Sequence, residues 1–193
     1  MPYYYFDIET TGIYPKKNKI ITIQFAKLHI NVNDDECKIL ADDLKILKVW
    51  EFNSEKQLLE KFLEDSKFFK FKDRQHFNFI PVGNNLIFDI IFLYERAVHH
   101  RLINKEYLPL SKALRKKPFL DLKPSLVMLN NFKFTNYGEI IDKCMKSGSK
   151  SEDVSNFYRN KRFDEIEKYV KDEFNATLKV FTRICNMLDI SYV

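Results

Sequence analysis

The chain has 193 residues, of which 45% are hydrophobic, so it is long enough for one domain with a substantial core. Its formal net charge of +5 is compatible with a polyanionic partner without requiring one. No apolar run approaches the ~20 residues of a membrane span, and the N-terminal residues lack the pattern of a secretory signal. We therefore expect a cytoplasmic protein that forms a single domain over residues 1–193.

The cysteine pattern indicates neither a disulfide framework nor a zinc site. Cys37, Cys144 and Cys185 are odd in number, far apart and without paired spacing. We interpret all three as reduced packing residues.

The first part of the chain alternates apolar and polar residues in the manner of β-strands. Ser54 is followed three residues later by Gln57, a spacing typical of a capping box at the start of a helix. The predicted elements, in chain order, are strands over 3–9, 19–29 and 37–52, the last interrupted at 42–43, and a helix over 55–66. The first two strands form a hairpin-like opening.

Helices dominate the rest of the chain. The apolar residues Ile166, Val170 and Phe174 recur at four-residue spacing, which predicts a long amphipathic final helix. The predicted elements are a strand over 79–83, a helix over 86–99 or 86–100, a strand over 119–122, helices around 125–129, 136–145 and 151–158, and a helix over 163–188. Strands followed by interleaved helices indicate an α/β sandwich around a mixed sheet.

Two acids occupy alternate positions of the first predicted strand, just before a turn at Gly12. Side chains two residues apart in a strand point to the same face, so Asp7 and Glu9 are expected to lie side by side. Magnesium in proteins typically takes one or two carboxylates and leaves sites for phosphate. The pattern predicts a divalent-cation site. A surface strand whose acids face water is the alternative.

A further acid follows the strand at residues 79–83. Asp89 lies one turn into the predicted helix after Asn84-Asn85 and is surrounded in sequence by apolar residues. An acid on the apolar side of a helix is costly unless it is paired or bound to metal, which indicates a functional carboxylate. The alternative is an exposed acid on a solvated helix face.

A third polar cluster lies on the last predicted helix. Tyr169 is three residues from Asp172 and four from Glu173, so either acid can share a face with the phenol. The four-residue offset favours Glu173, because it stacks more directly above Tyr169. Asp172 is the alternative acid beside Tyr169. A further alternative is that the whole cluster is ordinary helix surface.

In this order the three clusters resemble the DEDD family of 3′–5′ exonucleases, in its tyrosine-containing subclass. The segment Asp7-Ile8-Glu9-Thr10-Thr11-Gly12 is similar to the first motif of the family, and the segment at 82–89 is similar to the second. Residues 169–177 resemble the third motif. The segments at 55–63 and 119–122 are similar to those of exonuclease domains related to family B DNA polymerases. The resemblance covers nearly the whole chain and implies a ribonuclease H-like three-layer α/β sandwich, with a mixed central sheet flanked by helices.

The third motif departs from the family pattern, which is a tyrosine, three residues and then an aspartate. Here Glu173 stands at the aspartate position, and the following residues to Thr177 match the family stretch that ends in Ala-Thr. The fourth carboxylate is therefore either Glu173, which has a longer side chain than the aspartate of the family, or Asp172, one residue earlier. If neither acid reaches the metal, the chain is a catalytically impaired exonuclease-like module that binds nucleic acid or protein.

The resemblance implies an enzyme, a 3′–5′ exonuclease that hydrolyses phosphodiester bonds at the 3′ end of a single strand and releases nucleoside monophosphates. DNA is favoured over RNA as the substrate. Two Mg²⁺ or Mn²⁺ ions would activate the attacking water and support the leaving oxygen, and Tyr169 would orient that water. The implied metal ligands are Asp7, Glu9, Asp89 and either Glu173 or Asp172.

The same resemblance implies residues that bind the substrate near the first two motifs. Backbone groups after Glu9 would hold the terminal nucleotide, and Ile13 would wedge against its base. Ordinary turn packing is the alternative for Ile13 and Asn85. The implied substrate-binding residues are Thr10, Thr11, Gly12, Ile13, Asn85 and Phe88.

The expected partner is the 3′ end of single-stranded DNA or RNA, with a separate polymerase or a replication or repair protein as a further candidate. No membrane partner is expected. Three short basic runs, at 16–19, 115–117 and 159–162, are candidates for phosphate contacts, with solvated loops as the alternative.

Overall fold

The structure is a computed structural model that describes residues 2–33, 36–124 and 151–187. It is an α/β protein. Its strands are β1 (Tyr3–Thr10), β2 (Ile20–Asn33), β3 (Glu36–Ala41), β4 (Lys45–Lys48), β5 (Ile80–Gly83) and β6 (Leu120–Asp121). Its α-helices are α1 (Glu55–Ser66), α2 (Leu86–His99), α3 (Leu110–Lys116), α4 (Ser151–Arg159) and α5 (Phe163–Met187), with 3₁₀ segments at Val49–Glu51 and Lys72–Asn78.

The strands form one mixed sheet with β1 at its centre. The order across the sheet is β3–β2–β1–β5–β6, and β4 pairs with β2 on the same side as β3. Strand β2 runs antiparallel to β1, β3 and β4, whereas β5 is parallel to β1 and β6 is parallel to β5.

Helices pack against both faces of the sheet, because alternate residues of β1 point in opposite directions. Phe6 and Ile8 lie in a core with residues of α1 and α2. Tyr5 lies on the other face, where its ring centroid is 4.9 Å from that of Phe174 in α5. Since Asp7 and Glu9 alternate with Phe6 and Ile8, they share the face of Tyr5 and are directed toward α5.

Most of the predicted elements are confirmed, with different bounds. The segment predicted as one interrupted strand over 37–52 forms β3, β4 and a 3₁₀ turn, because the residues at 42–44 leave the sheet. Helix α3 and the helical segment at 72–78 were not predicted, since their short polar sequences carry little apolar periodicity. The helices predicted around 125–129 and 136–145 lie outside the described residues.

The cap predicted for α1 is present in modified form. The backbone N–H of Gln57 donates to Ser54 Oγ at 3.3 Å. The Gln57 side chain accepts from the N–H of Asn53 at 3.1 Å, one residue before the cap. Two backbone donors at the start of the helix are thereby satisfied.

Two further observations concern the cysteines and the apolar length of the helices. Cys37 and Cys185 are buried free thiols, as predicted, whereas Cys144 lies outside the described residues. Within the part of the chain that the structure describes, no helix is both long and apolar enough to span a bilayer.

Candidate active site

A cleft of about 540 Å³ lies at the end of β1, where the strand leaves the sheet. Segments distant in sequence form its walls: the end of β1 with its following turn, the start of α2, and one side each of α4 and α5. Its lining residues are Asp7, Ile8, Glu9, Thr10, Gly12, Ile13, Asn84, Asn85, Phe88, Asp89, Glu152, Ser155 and Glu173.

Three of the lining acids come close enough together to hold one ion. Asp7, Glu9 and Glu173 each offer a carboxylate oxygen, and these oxygens all lie within 4.8 Å of one another. The first two come from β1 and the third from α5, which crosses the same face of the sheet. Glu9 is buried at 7% exposure, while the other two are partly buried.

Asp89 reaches the same cleft from the first turn of α2. It is buried at 3% exposure and accepts a backbone hydrogen bond from Ile8, which ties the helix to β1. Among the described acids, Asp89 is not part of the group whose ligand atoms all lie within 4.8 Å of one another. The second-motif acid therefore lines the same cleft but lies outside the tight group of three acids.

The carboxylates strongly perturb one another. Burial, followed by the charges of Glu173 and Asp89, raises the pKa values of Asp7 and Glu9 well above their usual range. Burial and the charge of Glu173 likewise raise the pKa of Asp89. Crowded buried carboxylates are unfavourable until a cation neutralises them. An all-oxygen donor set of this kind fits Mg²⁺ or Mn²⁺.

Tyr169 lies behind the carboxylate cluster. It is 2% exposed and does not line the cleft. Burial, the charges of Glu173, Glu9 and Asp7, and a hydrogen bond to Glu173 raise the pKa of its phenol, so the hydroxyl stays protonated at neutral pH. In this arrangement the hydroxyl donates to Glu173 and fixes the direction of that carboxylate.

The two acids left open at the third motif lie in different places. Glu173 lines the cleft, four residues from Tyr169 and on the same side of α5. Asp172 lines a separate depression on the helix surface together with Glu167, Lys168 and Lys171. Successive helical residues point about 100° apart, so both acids cannot face the cleft at once.

The turn after β1 is held by its own side chains. Thr10 Oγ1 donates to the carbonyl of Gly12 at 2.8 Å. Gly12 fits closely, since a β-carbon there would lie 2.8 Å from Oδ1 of Asn18. Ile13 projects from this turn with 66% of its surface exposed. Thr10, Gly12 and Ile13 all line the cleft.

Thr11 differs from its neighbours because it does not line the cleft. Its hydroxyl lies 3.4 Å from Asn18 Oδ1 and accepts from the backbone N–H of Lys19 at 3.0 Å. Thr11 therefore stabilises the turn through these contacts and does not form part of the cleft surface.

The loop before α2 is fixed by contacts from β6. Asn85 has φ 62° and ψ 35°, a left-handed conformation that asparagine tolerates better than most residues. Its N–H donates to Asp121 Oδ1 at 2.8 Å, and its Oδ1 accepts from Lys123 Nζ at 2.9 Å. Asn85 and Phe88 both line the cleft. Asp121 and Lys123 were not predicted as site residues.

Sequence reasoning also missed two polar residues of β2. The strand register places Gln24 opposite Asp7 and Thr22 opposite Glu9, and both polar residues are fully buried. Gln24 Nε2 donates to Asp7 Oδ2 at 2.7 Å. The signal in the sequence was two polar residues in an apolar strand, but only the register shows which acid each one faces.

A buried ion-pair network connects the turn after β1 to the helices behind it. Glu55 accepts from Arg96 at 2.6 and 2.9 Å, from His100 at 2.8 Å and from the N–H of Ile20 at 2.8 Å. Arg96 also donates to the carbonyl of Pro15 at 2.9 Å. The middle of the turn between β1 and β2 is thus fixed to α2, and its end at Ile20 is fixed to α1.

The three basic runs do not reach the cleft. None of their residues is among those that line it. Lys117 is buried under Phe68 and Phe79, Lys19 lies 4.9 Å from the ring centroid of Tyr158, and Arg162 pairs with Glu165 at 2.8 Å. The runs therefore supply no lining residue of the cleft, and phosphate contacts elsewhere on the surface stay a prediction.

The sequence matches no model of a known protein family and shows no match among curated proteins. The assignment of a function therefore depends on the residues of the cleft and their arrangement.

Proposed function

We propose that this chain is a metal-dependent 3′–5′ exonuclease of the DEDD family that degrades single-stranded nucleic acid, with DNA preferred over RNA. The observation that supports the proposal best is the meeting of Asp7, Glu9 and Glu173 within 4.8 Å, in a cleft that Asp89 also lines. These are the acids that the motif resemblance implies, and they come from three distant parts of the sequence.

The proposal includes a ribonuclease H-like fold. It is supported by a mixed sheet with helices on both faces and by the central position of the strand that carries the first two acids. The strand pairs with β5 only at Tyr3–Tyr5 and with β2 along its whole length, including Asp7 and Glu9. The two carboxylates are therefore positioned by a strand that β2 holds in register on one side, while its other side pairs with no described strand at the cleft.

The residues of the cleft fit the metal ions that the resemblance implies. Asp7, Glu9, Glu173 and Asp89 supply carboxylate oxygens, and burial together with the charges of neighbouring acids raises the pKa values of Asp7, Glu9 and Asp89. Divalent ions bound there would acidify a water molecule and neutralise charge on a phosphodiester. Gln24 and Tyr169 orient two of the ligands, Asp7 and Glu173.

The remaining lining residues suit the end of a polynucleotide chain. Ile13 and Phe88 offer apolar surface to a base, while Thr10 and Gly12 present a fixed backbone beside it. The cleft has the size of a site for a small ligand such as one nucleotide. Contacts of this type do not read base edges, so we expect little sequence preference.

The second candidate is a binding module that has this cleft but lacks catalysis. It is favoured by the glutamate at the third motif and by the position of Asp89 outside the tight group of three acids. Such a protein would bind a single strand and leave it intact.

Digestion of a single-stranded DNA labelled at its 5′ end tests the proposal. In Mg²⁺ or Mn²⁺ we expect a ladder that shortens from the 3′ end, with nucleoside monophosphates as products, and slower digestion of the matched RNA. Asp7→Ala and Asp89→Ala should abolish the ladder, while Asp65→Ala, which removes an exposed acid paired with Lys61, should not. Undiminished digestion by Asp7→Ala would exclude this centre. Binding without digestion by the wild-type protein would favour the second candidate.

A further inference from the structure

The cleft is strongly acidic, whereas a polynucleotide is a polyanion. Five of its lining residues are acids, and among the described residues no lysine or arginine lines it. Divalent ions can neutralise the inner carboxylates, but the phosphates farther along a strand need cations of their own. A cation held by a lining residue is the natural place to look for such a contact.

Lys123 is held in this way. Its ammonium group donates to Asn85 Oδ1 at 2.9 Å, and Asn85 lines the cleft next to Asn84 and Phe88. The lysine is partly buried, so its position is more restricted than that of a lysine on open surface. It does not belong to any of the three basic runs in the sequence.

Asp121 fixes both partners of this contact. Its Oδ1 accepts from the backbone N–H of Asn85 at 2.8 Å and from that of Lys123 at 3.0 Å. One carboxylate oxygen therefore sets the conformation of the loop before α2 and that of the chain after β6. The ammonium is consequently presented at the edge of the cleft by two constrained segments.

The ammonium group retains capacity for a ligand. A lysine has three N–H donors, and within the described residues the hydrogen bond to Asn85 is the one contact that its ammonium makes. A compact point charge with spare donors is well suited to a phosphate oxygen.

We propose that Lys123 is a phosphate-binding residue that contacts a backbone phosphate of a single-stranded polynucleotide at the mouth of the cleft, an inference that rests on the proposed function. Asn85 and Asp121 are its positioning residues. The contact carries no base information. It contributes to affinity and fixes how far the 3′ end enters the cleft.

Binding in EDTA tests the contact without hydrolysis. A short fluorescent DNA strand is titrated with wild type, Lys123→Gln and the matched control Lys116→Gln, an exposed lysine of α3. Glutamine keeps a donor for Asn85 but removes the charge. We expect Lys123→Gln to weaken binding about five- to tenfold and to reduce the slope of log affinity against log salt by about 0.7. The control should match wild type.

Strands with one neutral methylphosphonate linkage identify the phosphate. At the contacted linkage near the 3′ end, neutralisation should weaken binding by wild type and have little further effect on Lys123→Gln, because the two changes remove the same interaction. Losses that simply multiply at every linkage would overturn the inference.

A purely structural role gives a different result. If Lys123 only supports the loop, Lys123→Gln should bind like wild type and Lys123→Met should unfold at a lower temperature, an outcome that overturns the inference. Metal-dependent digestion by wild type together with unchanged binding by Lys123→Gln would overturn the phosphate contact and leave the exonuclease proposal standing. Weaker binding by Lys123→Gln than by wild type, without any digestion by wild type, would support the phosphate contact and overturn the exonuclease proposal.

Discussion

Gln24 Nε2 donates to Asp7 Oδ2 at 2.7 Å from the position directly across the β1–β2 pair. Gln24 is fully buried, so its amide is fixed and in turn fixes one rotamer of the acid. A carboxylate held in this way is oriented before any ligand arrives. Gln24 therefore belongs to the site even though it does not line the cleft.

Gln24→Leu should weaken metal binding while the protein remains folded. Leucine fills a similar volume but gives no hydrogen bond to Asp7, and loss of such an outer contact typically costs about 10- to 100-fold in metal affinity or activity. A Mn²⁺ titration of nuclease activity measures the shift. Thr22→Val, which changes the polar residue opposite Glu9, is the matched control. Equal Mn²⁺ dependence in wild type and Gln24→Leu would contradict this role.

Glu9→Gln should raise the melting temperature of the metal-free protein. Burial and the charges of Glu173 and Asp89 raise the pKa of Glu9, so its ionised form opposes folding at neutral pH. Removing the charge relieves that repulsion and also removes a metal ligand. Differential scanning calorimetry should therefore show a higher melting temperature than wild type in EDTA. The rise in melting temperature on addition of excess Mn²⁺ should be smaller than in wild type. A variant less stable than wild type in EDTA would argue against this source of strain.

Arg96→Ala should destabilise the protein by about 3–5 kcal/mol, the usual cost of leaving a buried charge without its partner. Glu55 is 8% exposed and would lose its strongest donor, and the turn at Pro15 would lose its connection to α2. Urea denaturation measures the loss. Lys61→Ala, which breaks an exposed pair with Asp65, should leave the midpoint unchanged. A small effect of Arg96→Ala would mean that the network is dispensable.

The Glu55 network should also give the protein a specific acid sensitivity. Burial opposes ionisation of Glu55, but its hydrogen bonds from Arg96, His100 and Ile20 prevail and lower its pKa below the usual value. Its stabilisation is therefore complete above the unfolded-state pKa and is lost as the pH falls through the folded-state pKa. Glu55→Gln should flatten the stability curve in that acidic window. Parallel curves for the two proteins would contradict the assignment.

Lys117 should make the stability of the protein depend on pH in the alkaline range. It is 2% exposed, donates to the carbonyls of His76 and Phe79, and burial lowers its pKa to about 7. Between pH 7 and its ordinary pKa of 10.5, the unfolded chain binds this proton more tightly than the folded protein. The free energy of unfolding of wild type, relative to that of Lys117→Met, should therefore rise with pH across this window. Lys116→Met, at the exposed neighbouring position, should not change the slope, and a constant difference between Lys117→Met and wild type would refute the shift.

Local patterns in the sequence predicted much of this arrangement. The alternation of Asp7 and Glu9 and the helical spacing of Tyr169 and Glu173 are properties of single elements, so they can be read without a structure. The choice between Asp172 and Glu173 follows from the same geometry, because only one side of α5 faces the sheet.

Contacts between distant segments could not be predicted in this way. The pairing of Gln24 with Asp7 depends on the strand register, and the Lys123–Asn85–Asp121 contacts depend on β6 lying beside β5. The basic runs illustrate the same limit, since a cluster of charges in sequence gives no information about the side of the fold on which it lies.

The most direct test of the central claim compares two adjacent acids in one assay. Wild type, Glu173→Gln and Asp172→Asn are incubated with a 5′-labelled single strand in Mn²⁺, and the rate of shortening from the 3′ end is followed. The cleft geometry predicts that Glu173→Gln loses the activity and that Asp172→Asn retains it. Retained activity in Glu173→Gln with loss in Asp172→Asn would contradict the account of this site.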